Sequence, residues 1–375
     1  MPRKIAHLTT IDLSLRYLLL AQIDASLAVG DEVIGISARG PDVPFLEARG
    51  LRFVELEGST RSMSLTGDLR AARSLWRILR RERPDVLHTH NPKPGIYGRI
   101  VGRLARVPLV VHTTHGLYAA PDDPLPKRLV VYGLEAVASR FSHLELVQSP
   151  EDLDLMRRWR LAPRRHLRLL GNGVDLNRFA PPDADERLAI RAELGIEPGD
   201  VVVGLVARLV TSKGIPELVD AMEALGSPFR LLLVGPEDLE KADALPPGAL
   251  DRAVAAGAIL TGHREDVDRL YGAMDVFCLP SHREGFPRAA MEAAATGVPV
   301  VATDIRGCRQ VVDDGVTGAL VAVRDPAALA AALRPYADPA VRAAHGRAGR
   351  AKAMSDFDED TVVTRVLAAY GPSRR

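Results

Sequence analysis

Two glutamates, Glu284 and Glu292, lie on either side of a predicted helix start in the stretch SHREGFPRAAMEAAATGVPVV, residues 281–301. The N-terminus of a helix carries partial positive charge and unpaired N–H groups, so it attracts anions such as phosphate. A carboxylate only accepts hydrogen bonds, so its natural partners are hydroxyl groups that flank the phosphate. The pattern therefore indicates a ligand in which Glu284 holds a sugar and Glu292 holds ribose hydroxyls. A nucleotide-sugar has this layout.

The residues between the two glutamates form the turn that would hold the phosphate. The N–H groups of Gly285 and Phe286 can bind a phosphate oxygen. Pro287 suits the first position of a helix, where its missing N–H is not needed. The predicted helix Pro287–Thr296 follows a predicted buried strand, Val276–Leu279, so the turn lies at the ligand edge of a sheet.

Two cations follow another predicted strand, Val201–Val206, in the stretch GLVARLVTSKG. Arg208 and Lys213 stand just before the next helix, so together they can neutralise a diphosphate and stabilise it as a leaving group. Arg208 alone would be read as an ordinary surface charge. Its combination with Lys213 and two glutamates in the same half of the chain favours a functional site.

Short apolar strands alternate with longer amphipathic helices along the whole chain, which is typical of parallel sheets covered on both faces. The strands predicted in the first half are Lys4–Leu8, Glu32–Ile36, Val86–His90, Leu109–His112 and Leu144–Val147. The strands predicted in the second half are Val201–Val206, Arg230–Val234, Val276–Leu279 and Val298–Ala302. Two such sets predict an α/β protein with two Rossmann-like, doubly wound domains that bind ligands in the cleft between them.

The joint between the domains is predicted in a stretch rich in Gly, Asn and Pro, GNGVDLNRFAPPDAD. We therefore expect one domain over residues 1–178 and a second over residues 179–357. A last helical segment, 358–375, is expected to pack back on the first domain.

Composition limits the class of protein. The chain has 375 residues, only two cysteines and no apolar run of the roughly 20 residues that cross a bilayer. Few cysteines in a long chain indicate a reducing compartment, so we expect a cytoplasmic protein. Residues 1–180 carry 27 Lys and Arg against 19 Asp and Glu, a net +8, and the remainder carries −7. The basic half suggests an anionic partner there, and drift in surface charge explains it equally well.

The sequence argues against nicotinamide and metal sites. No Gly-x-Gly-x-x-Gly follows the first strand, where the chain reads TTIDLSLRY, and the P-loop pattern is absent. His88 and His90 lie at one strand end and His112 and His115 at another, without Cys or carboxylate neighbours in a ligand pattern. We expect no bound metal, no cofactor and no nucleic-acid partner.

These motifs resemble the retaining GT-B glycosyltransferases of family four. Arg-x-x-x-x-Lys at Arg208–Lys213, followed by EGFPRAAMEAAATGVPVVAT from Glu284, is similar to their donor-site signature. The resemblance extends to HTHNPKPGIYGR at His88–Arg99, TTHGLY at Thr113–Tyr118 and GNGVDLNRF at Gly171–Phe179. It covers nearly the whole chain.

The resemblance implies a nucleotide-sugar donor, often UDP-linked, in the C-terminal domain and an acceptor mainly in the N-terminal one. It implies that Arg208 and Lys213 hold the diphosphate, and that Glu284 holds the donor sugar together with the loop at Gly285, Phe286 and Pro287. It also places Glu292 on the ribose and His115 near the reacting carbon; for His115, an ordinary strand-end histidine bonded to backbone is the alternative. Such enzymes retain anomeric configuration and need no metal.

Two stretches depart from the family pattern. Many relatives have a Gly-Gly loop after the first strand, where this chain has Thr9–Asp12. Many also have Gly-Gly-x-x-Glu after Val298–Ala302, where this chain reads DIRGCRQVV. Backbone contacts from Gly307 remain expected there, and Cys308 is expected to be a packing residue.

The acceptor and the membrane remain open at this stage. The stretch 68–83, DLRAARSLWRILRRER, can be a basic amphipathic helix on an anionic membrane or an ordinary outer helix, and the second is commoner. Membrane contact at the inner face would fit a polyprenyl-diphosphate-linked acceptor. Two further functions stay open: a sugar-nucleotide 2-epimerase, which shares the two-domain form and needs no acceptor, and a nucleotide-sugar-binding subunit that has lost catalysis.

Overall fold

The computed structural model describes residues 2–60, 65–121, 123–238 and 243–371. These residues form two compact units. The first runs up to Gly171 and resumes at Asp360, and the second is Asn172–Glu359. The sequence suggested 178 and 358 for these boundaries. Residues 372–375, the end of the expected C-terminal segment, lie outside the described residues.

The described part of the first unit contains one parallel sheet. Its strands are β1 Lys4–Ile11, β2 Glu32–Ala38, β3 Arg52–Glu55, β4 Val86–Thr89, β5 Leu109–Thr114, β6 Leu144–Val147 and β7 Leu167–Leu169. Its helices are α1 Asp12–Ala28, α2 Val43–Ala48, α3 Leu65–Glu82, α4 Pro92–Leu104, α5 Leu125–Ala138 and α6 Pro150–Arg158. The strand order is β3-β2-β1-β4-β5-β6-β7, so the order reverses between β1 and β4. Such a reversal leaves a crevice at the carboxyl ends of the two strands.

The second unit repeats this plan. Its strands are β8 Val201–Val206, β9 Phe229–Val234, β10 Ile259–Gly262, β11 Val276–Leu279, β12 Val300–Thr303 and β13 Gly318–Val321. Its helices are α7 Ala184–Glu193, α8 Ile215–Leu225, α9 Ala249–Ala255, α10 Val267–Ala273, α11 Arg288–Ala295, α12 Pro326–Leu333 and α13 Pro339–Asp356. The order β10-β9-β8-β11-β12-β13 reverses between β8 and β11. The pairings between these strands are all parallel, which confirms the predicted α/β fold of two doubly wound sheets.

The last helix, α14 Glu359–Ala369, packs on the first sheet. Val362, Val366 and Tyr370 are buried in one cluster with Ile5 of β1 and Val86 of β4. The chain therefore returns to its first unit after completing the second.

Helix α3 contains the basic stretch considered above as a membrane-surface helix. Its apolar residues Leu75 and Leu79 are buried in the core of the first unit, which leaves Leu69 and Trp76 exposed among arginines. The apolar side of α3 is thus used by the protein itself, as in an ordinary outer helix.

Sequence reasoning did not predict β3, β7, β10 and β13. Each is three or four residues long, and each is the last or first strand of its sheet. An edge strand is covered less completely, so its sequence lacks the buried apolar run on which the prediction of parallel strands depends.

Candidate functional site

The residues predicted to bind the donor follow the two strands at which the second sheet reverses its order. Arg208 and Lys213 follow β8, and Glu284 follows β11. Strands β8 and β11 are direct neighbours, so their carboxyl ends deliver these side chains to one crevice.

Lys213 and Glu284 form an ion pair in this crevice. Lys213 Nζ lies 2.6 Å from Glu284 Oε1, and the Ser281 hydroxyl donates to the same oxygen at 2.7 Å. The Lys213 side chain is 23% exposed and that of Glu284 is 12% exposed. A partly buried pair of this kind is stronger than a surface pair because water screens it less. The site therefore holds a cation and a hydrogen-bond acceptor side by side.

A close approach of two loops sets the position of Lys213. Gly214 follows it with φ +71°, and a Cβ there would lie 2.1 Å from the carbonyl oxygen of Pro280, just after β11. The amide of His282 also donates to the carbonyl of Ser212 at 2.9 Å. Only glycine fits such a backbone contact at positive φ. The loops after β8 and β11 are thereby held together.

A third loop packs beneath the turn that contains Glu284. A Cβ on Gly307 would lie 2.7 Å from the Gly285 carbonyl oxygen and 2.9 Å from that of Glu284. The next residue, Cys308, is buried, and burial together with the Glu284 carboxylate raises the pKa of its thiol. Cys308 is thus a buried thiol, poorly suited to act as a nucleophile.

The turn at residues 284–287 is held from both sides. The Asn172 side-chain amide donates to the Phe286 carbonyl at 3.3 Å, and the Phe286 ring packs edge-on against Phe357. Neither Gly285 nor Phe286 donates its backbone N–H to another described residue. Pro287 is the residue before the helix rather than its first residue, because its backbone is extended and α11 begins at Arg288.

Arg208 has a carboxylate partner that the sequence did not indicate. Its guanidinium lies 2.7 Å from Asp238, which follows β9, and its side chain is 41% exposed. Nothing in the sequence pattern marks Asp238, since the pair depends on β8 and β9 being neighbours. Both cations predicted for the diphosphate therefore have an acidic neighbour.

Glu292 lies one turn inside α11. The Tyr271 hydroxyl donates to it at 2.8 Å, and Arg288 lies 3.8 Å from its other oxygen. Tyr271 is fully buried, and burial and the Glu292 carboxylate raise its pKa far above the ordinary value. Tyr271 thus acts as a permanent donor that orients Glu292. Sequence reasoning did not include Tyr271 among the site residues.

His115 lies in the first unit, directly after β5. Its Nε2 is 3.1 Å from Nδ1 of His90, which directly follows β4. The structure thus gives His115 a contact with another imidazole ring, and its role at the site stays a prediction.

One group of residues among those described could hold a metal by proximity alone. Ligand atoms of His7, His88 and His90 lie within 4.8 Å of one another. Both His88 nitrogens are already engaged, with the Tyr370 hydroxyl at 2.6 Å and the Thr113 hydroxyl at 2.7 Å. Hydrogen bonds rather than metal ligation account for His88.

None of the described helices combines the length and the apolar character that crossing a bilayer requires.

Two family models match this chain. Residues 22–178 match the family model described as glycosyltransferase family 4, and residues 200–338 match the model described as glycosyl transferases group 1. In each unit one of these models covers most of the sheet.

Several curated proteins are similar over most of their length. The UDP-Gal:alpha-D-GlcNAc-diphosphoundecaprenol alpha-1,3-galactosyltransferase of Escherichia coli is 31% identical over 321 residues, covering 83% of this chain and 81% of that protein. The D-inositol 3-phosphate glycosyltransferase of Xylanimonas cellulosilytica is 33% identical, covering 78% and 72%.

Solved structures share the fold at low identity. The Anabaena protein HepE, in complex with UDP and glucose, has a TM-score of 0.82 with 22% identity over 98% of both chains. WaaG, a glycosyltransferase involved in lipopolysaccharide biosynthesis, has a TM-score of 0.75 with 17% identity. The matched models, the relatives and the two doubly wound sheets together show that this chain belongs to glycosyltransferase family 4 and has the GT-B fold.

Proposed function

We propose that the protein is a retaining glycosyltransferase that moves a sugar from a UDP-linked donor to a hydroxyl of a lipid-linked acceptor without a bound metal. The observation that carries this proposal is the meeting of Lys213 and Glu284 at the point where the second sheet reverses. A cation beside a carboxylate is what a ligand with a phosphate next to sugar hydroxyls requires.

The donor phosphates compete with Glu284 for Lys213. A diphosphate carries more negative charge than one carboxylate, so it attracts Lys213 and Arg208 more strongly than Glu284 and Asp238 do. Glu284 can then accept hydrogen bonds from the donor sugar. The exchange neutralises the leaving group at the atoms where charge develops during transfer.

The other residues have roles in binding and orientation. The N–H groups of Gly285 and Phe286 bind a phosphate or sugar oxygen, and the contact at Gly307 supports that turn. Glu292, oriented by Tyr271, accepts from the ribose hydroxyls. His115 contacts the donor sugar near the reacting carbon.

The relatives favour this chemistry over the alternatives. HepE is bound to UDP and glucose, and the Escherichia coli relative is named for UDP-galactose and a diphosphoundecaprenol acceptor. A 2-epimerase or a binding subunit has no such support among them.

The lipid-linked acceptor implies a membrane contact, which we assign to α5 rather than α3. The outward side of α5 carries large apolar residues that are each 45–61% exposed: Leu125, Leu129, Val130, Leu134 and Val137. Contiguous exposed apolar surface of this kind marks an interaction site.

Cations and aromatic rings border this apolar side. Lys127 lies over the exposed Tyr118 ring, and Arg128 lies over the Trp159 ring, which is 46% exposed. Apolar, aromatic and cationic side chains together fit the interface of an anionic bilayer. The first 180 residues carry a net charge of +8, which is opposite in sign to an anionic bilayer.

Vesicle sedimentation tests the membrane contact. Leu129→Glu with Val130→Glu is expected to abolish sedimentation with anionic vesicles, while Leu69→Glu with Trp76→Glu on α3 leaves it intact. Loss only in the α3 variant would place the contact on α3. A shift of the α5 variant from dimer to monomer, without any vesicle binding by the natural chain, would identify a second copy as the occupant instead.

A reaction with defined substrates tests the proposed function. The protein is incubated with UDP-sugars and a polyprenyl-diphosphate-linked sugar, and the product is analysed by NMR. We expect UDP release and a product whose new glycosidic linkage has the same anomeric configuration, axial or equatorial, as the donor sugar. Isomerised UDP-sugar without acceptor would indicate an epimerase, and binding without turnover or hydrolysis would indicate a binding subunit.

A further inference from the structure

Three histidine rings form a line that ends at His115. Nδ1 of His7 lies 3.2 Å from Nε2 of His90, and Nδ1 of His90 lies 3.1 Å from Nε2 of His115. The ring centroids of His7 and His90 are 5.5 Å apart, and the ring planes are inclined by 24°. His7 and His90 are fully buried, whereas His115 is half-buried.

The sheet topology brings the three residues together. His7 lies on β1, His90 follows β4 and His115 follows β5, and these strands are consecutive in the sheet order. The line therefore crosses the reversal point of the first sheet, where ligands bind in doubly wound folds.

The two inner rings are neutral at physiological pH. Burial lowers the pKa of His7 to about 4. Burial, together with neighbouring imidazoles, holds the pKa of His90 well below its ordinary value. A neutral imidazole has one N–H donor and one bare nitrogen acceptor. Because both nitrogens of His90 face another ring, every hydrogen bond in the line must point in the same direction.

The buried end of the line selects that direction. His7 Nε2 is buried and has no hydrogen-bond partner among the described residues. A proton on this atom would leave a buried donor unpaired. Among backbone groups an unpaired buried N–H is rarer than an under-satisfied acceptor, and we apply the same preference to this imidazole. The proton of His7 therefore belongs on Nδ1, from which it is donated to His90, and His90 in turn donates to His115.

We propose that His7 and His90 are positioning residues that hold His115 in the tautomer with a bare Nε2 and a proton on Nδ1. His115 then presents an N–H donor, rather than a base, at Nδ1. The use of this N–H in sugar transfer rests on the proposed function. A donor at Nδ1 of His115 can bind a sugar hydroxyl or ring oxygen and cannot remove a proton. The tautomer itself does not depend on the reaction.

Nitrogen NMR of ¹⁵N-histidine-labelled protein tests the tautomer without any substrate. The natural chain is expected to show the His115 proton on Nδ1. His90→Leu removes the donor to His115 and is expected to give a mixture of tautomers. His90→Asn keeps a side-chain amide near the position of Nδ1 and is expected to restore the single form.

A matched control separates the line from the general effect of losing a buried imidazole. His112 is buried within β5 and bonds the Thr89 hydroxyl at 2.9 Å, outside the line. His112→Leu is expected to leave the His115 signals unchanged. A proton on Nε2 of His115 in the natural chain, or unchanged signals in folded His90→Leu, would overturn the proposal.

Turnover measurements then distinguish this proposal from the proposed function. His90→Leu is expected to lower kcat by roughly tenfold, less than the 10²–10³ that loss of a stabilising donor costs. His90→Asn is expected to recover most of that loss, and His112→Leu to show none. If NMR gives the expected tautomers while the natural chain turns over no UDP-sugar, the line of histidines stands and the proposed function fails. Equal loss of kcat in His90→Leu and His112→Leu would count against a positioning role.

Discussion

Replacement of Lys213 by methionine removes the charge that the proposed donor site depends on and keeps most of the side-chain volume. In the structure Lys213 Nζ lies 2.6 Å from Glu284, whose side chain is 12% exposed. The variant therefore leaves a largely buried carboxylate with the Ser281 hydroxyl as its remaining described partner. The variant is expected to lower both the free energy of unfolding and kcat, by different amounts.

The effect on folding follows from the burial of the pair. Breaking a fully buried pair costs about 3–5 kcal/mol, whereas an exposed pair is worth about 0–1 kcal/mol. With exposures of 23% and 12%, Lys213 and Glu284 lie between these limits. We expect Lys213→Met to lower the free energy of unfolding by about 1–3 kcal/mol.

The effect on catalysis is expected to be larger. Removal of one preorganised group that stabilises transition-state charge lowers kcat by roughly 10²–10³, or about 2.7–4 kcal/mol. Lys213→Arg retains the charge and is expected to retain part of the activity. The double variant Lys213→Met with Glu284→Gln removes the unpaired carboxylate, so it should recover stability without recovering turnover.

The assay combines UDP release, calorimetric titration with UDP and urea unfolding. Arg252→Ala is a suitable control, because Arg252 forms exposed ion pairs with Asp220 and Glu223 away from the site. Normal UDP affinity and normal kcat in a folded Lys213→Met protein would refute the assignment of Lys213 to the diphosphate. Recovery of turnover in the double variant would show that the damage came from Glu284 alone.

Three further predictions address the ribose contact, the loop contact and the metal. Glu292→Ala should weaken UDP binding by roughly 10–100-fold, since a hydrogen bond to a charged group contributes about 1.5–3 kcal/mol. The variant also removes the partner of the buried Tyr271 hydroxyl, so adding Tyr271→Phe should restore the free energy of unfolding while UDP binding stays weak. Unchanged UDP affinity in calorimetry would remove the ribose role. Gly214→Ala should lower the free energy of unfolding by clearly more than Gly195→Ala does. Gly195 has a similar φ (+63°), and a Cβ added there would have no atom within 4 Å. Equal urea midpoints for the two variants would contradict the loop contact. EDTA should leave the rate of UDP release intact, and its complete loss, restored by a divalent cation, would contradict a metal-independent reaction.

Local signals in the sequence were sufficient for the strands nearest the site. The strands Val201–Val206 and Val276–Leu279 have the predicted bounds, because each is a continuous apolar run that is buried on both faces. Helix α11 begins one residue later than predicted, since Pro287 has an extended backbone. The two glutamates and two cations could be proposed as site residues because their residue types and spacing suggest a donor site.

Contacts between distant parts of the chain could not be predicted in the same way. Asp238 meets Arg208 because β8 and β9 are neighbours, and His7 meets His90 because β1 and β4 are neighbours. Both pairs depend on strand order, which local periodicity does not specify. The apolar side of α5 was missed for a different reason: an apolar helix face usually packs inside the protein, and only the structure shows that this one is exposed.

Calorimetric titration of the protein with UDP-, GDP-, ADP- and TDP-linked sugars tests the central claim most directly. We expect one UDP-sugar to bind at a single site, with binding weakened in both Lys213→Met and Glu292→Ala and unchanged in Arg252→Ala. Absence of binding by every nucleotide-sugar, or equal affinity in all three variants, would contradict a donor site built from these residues.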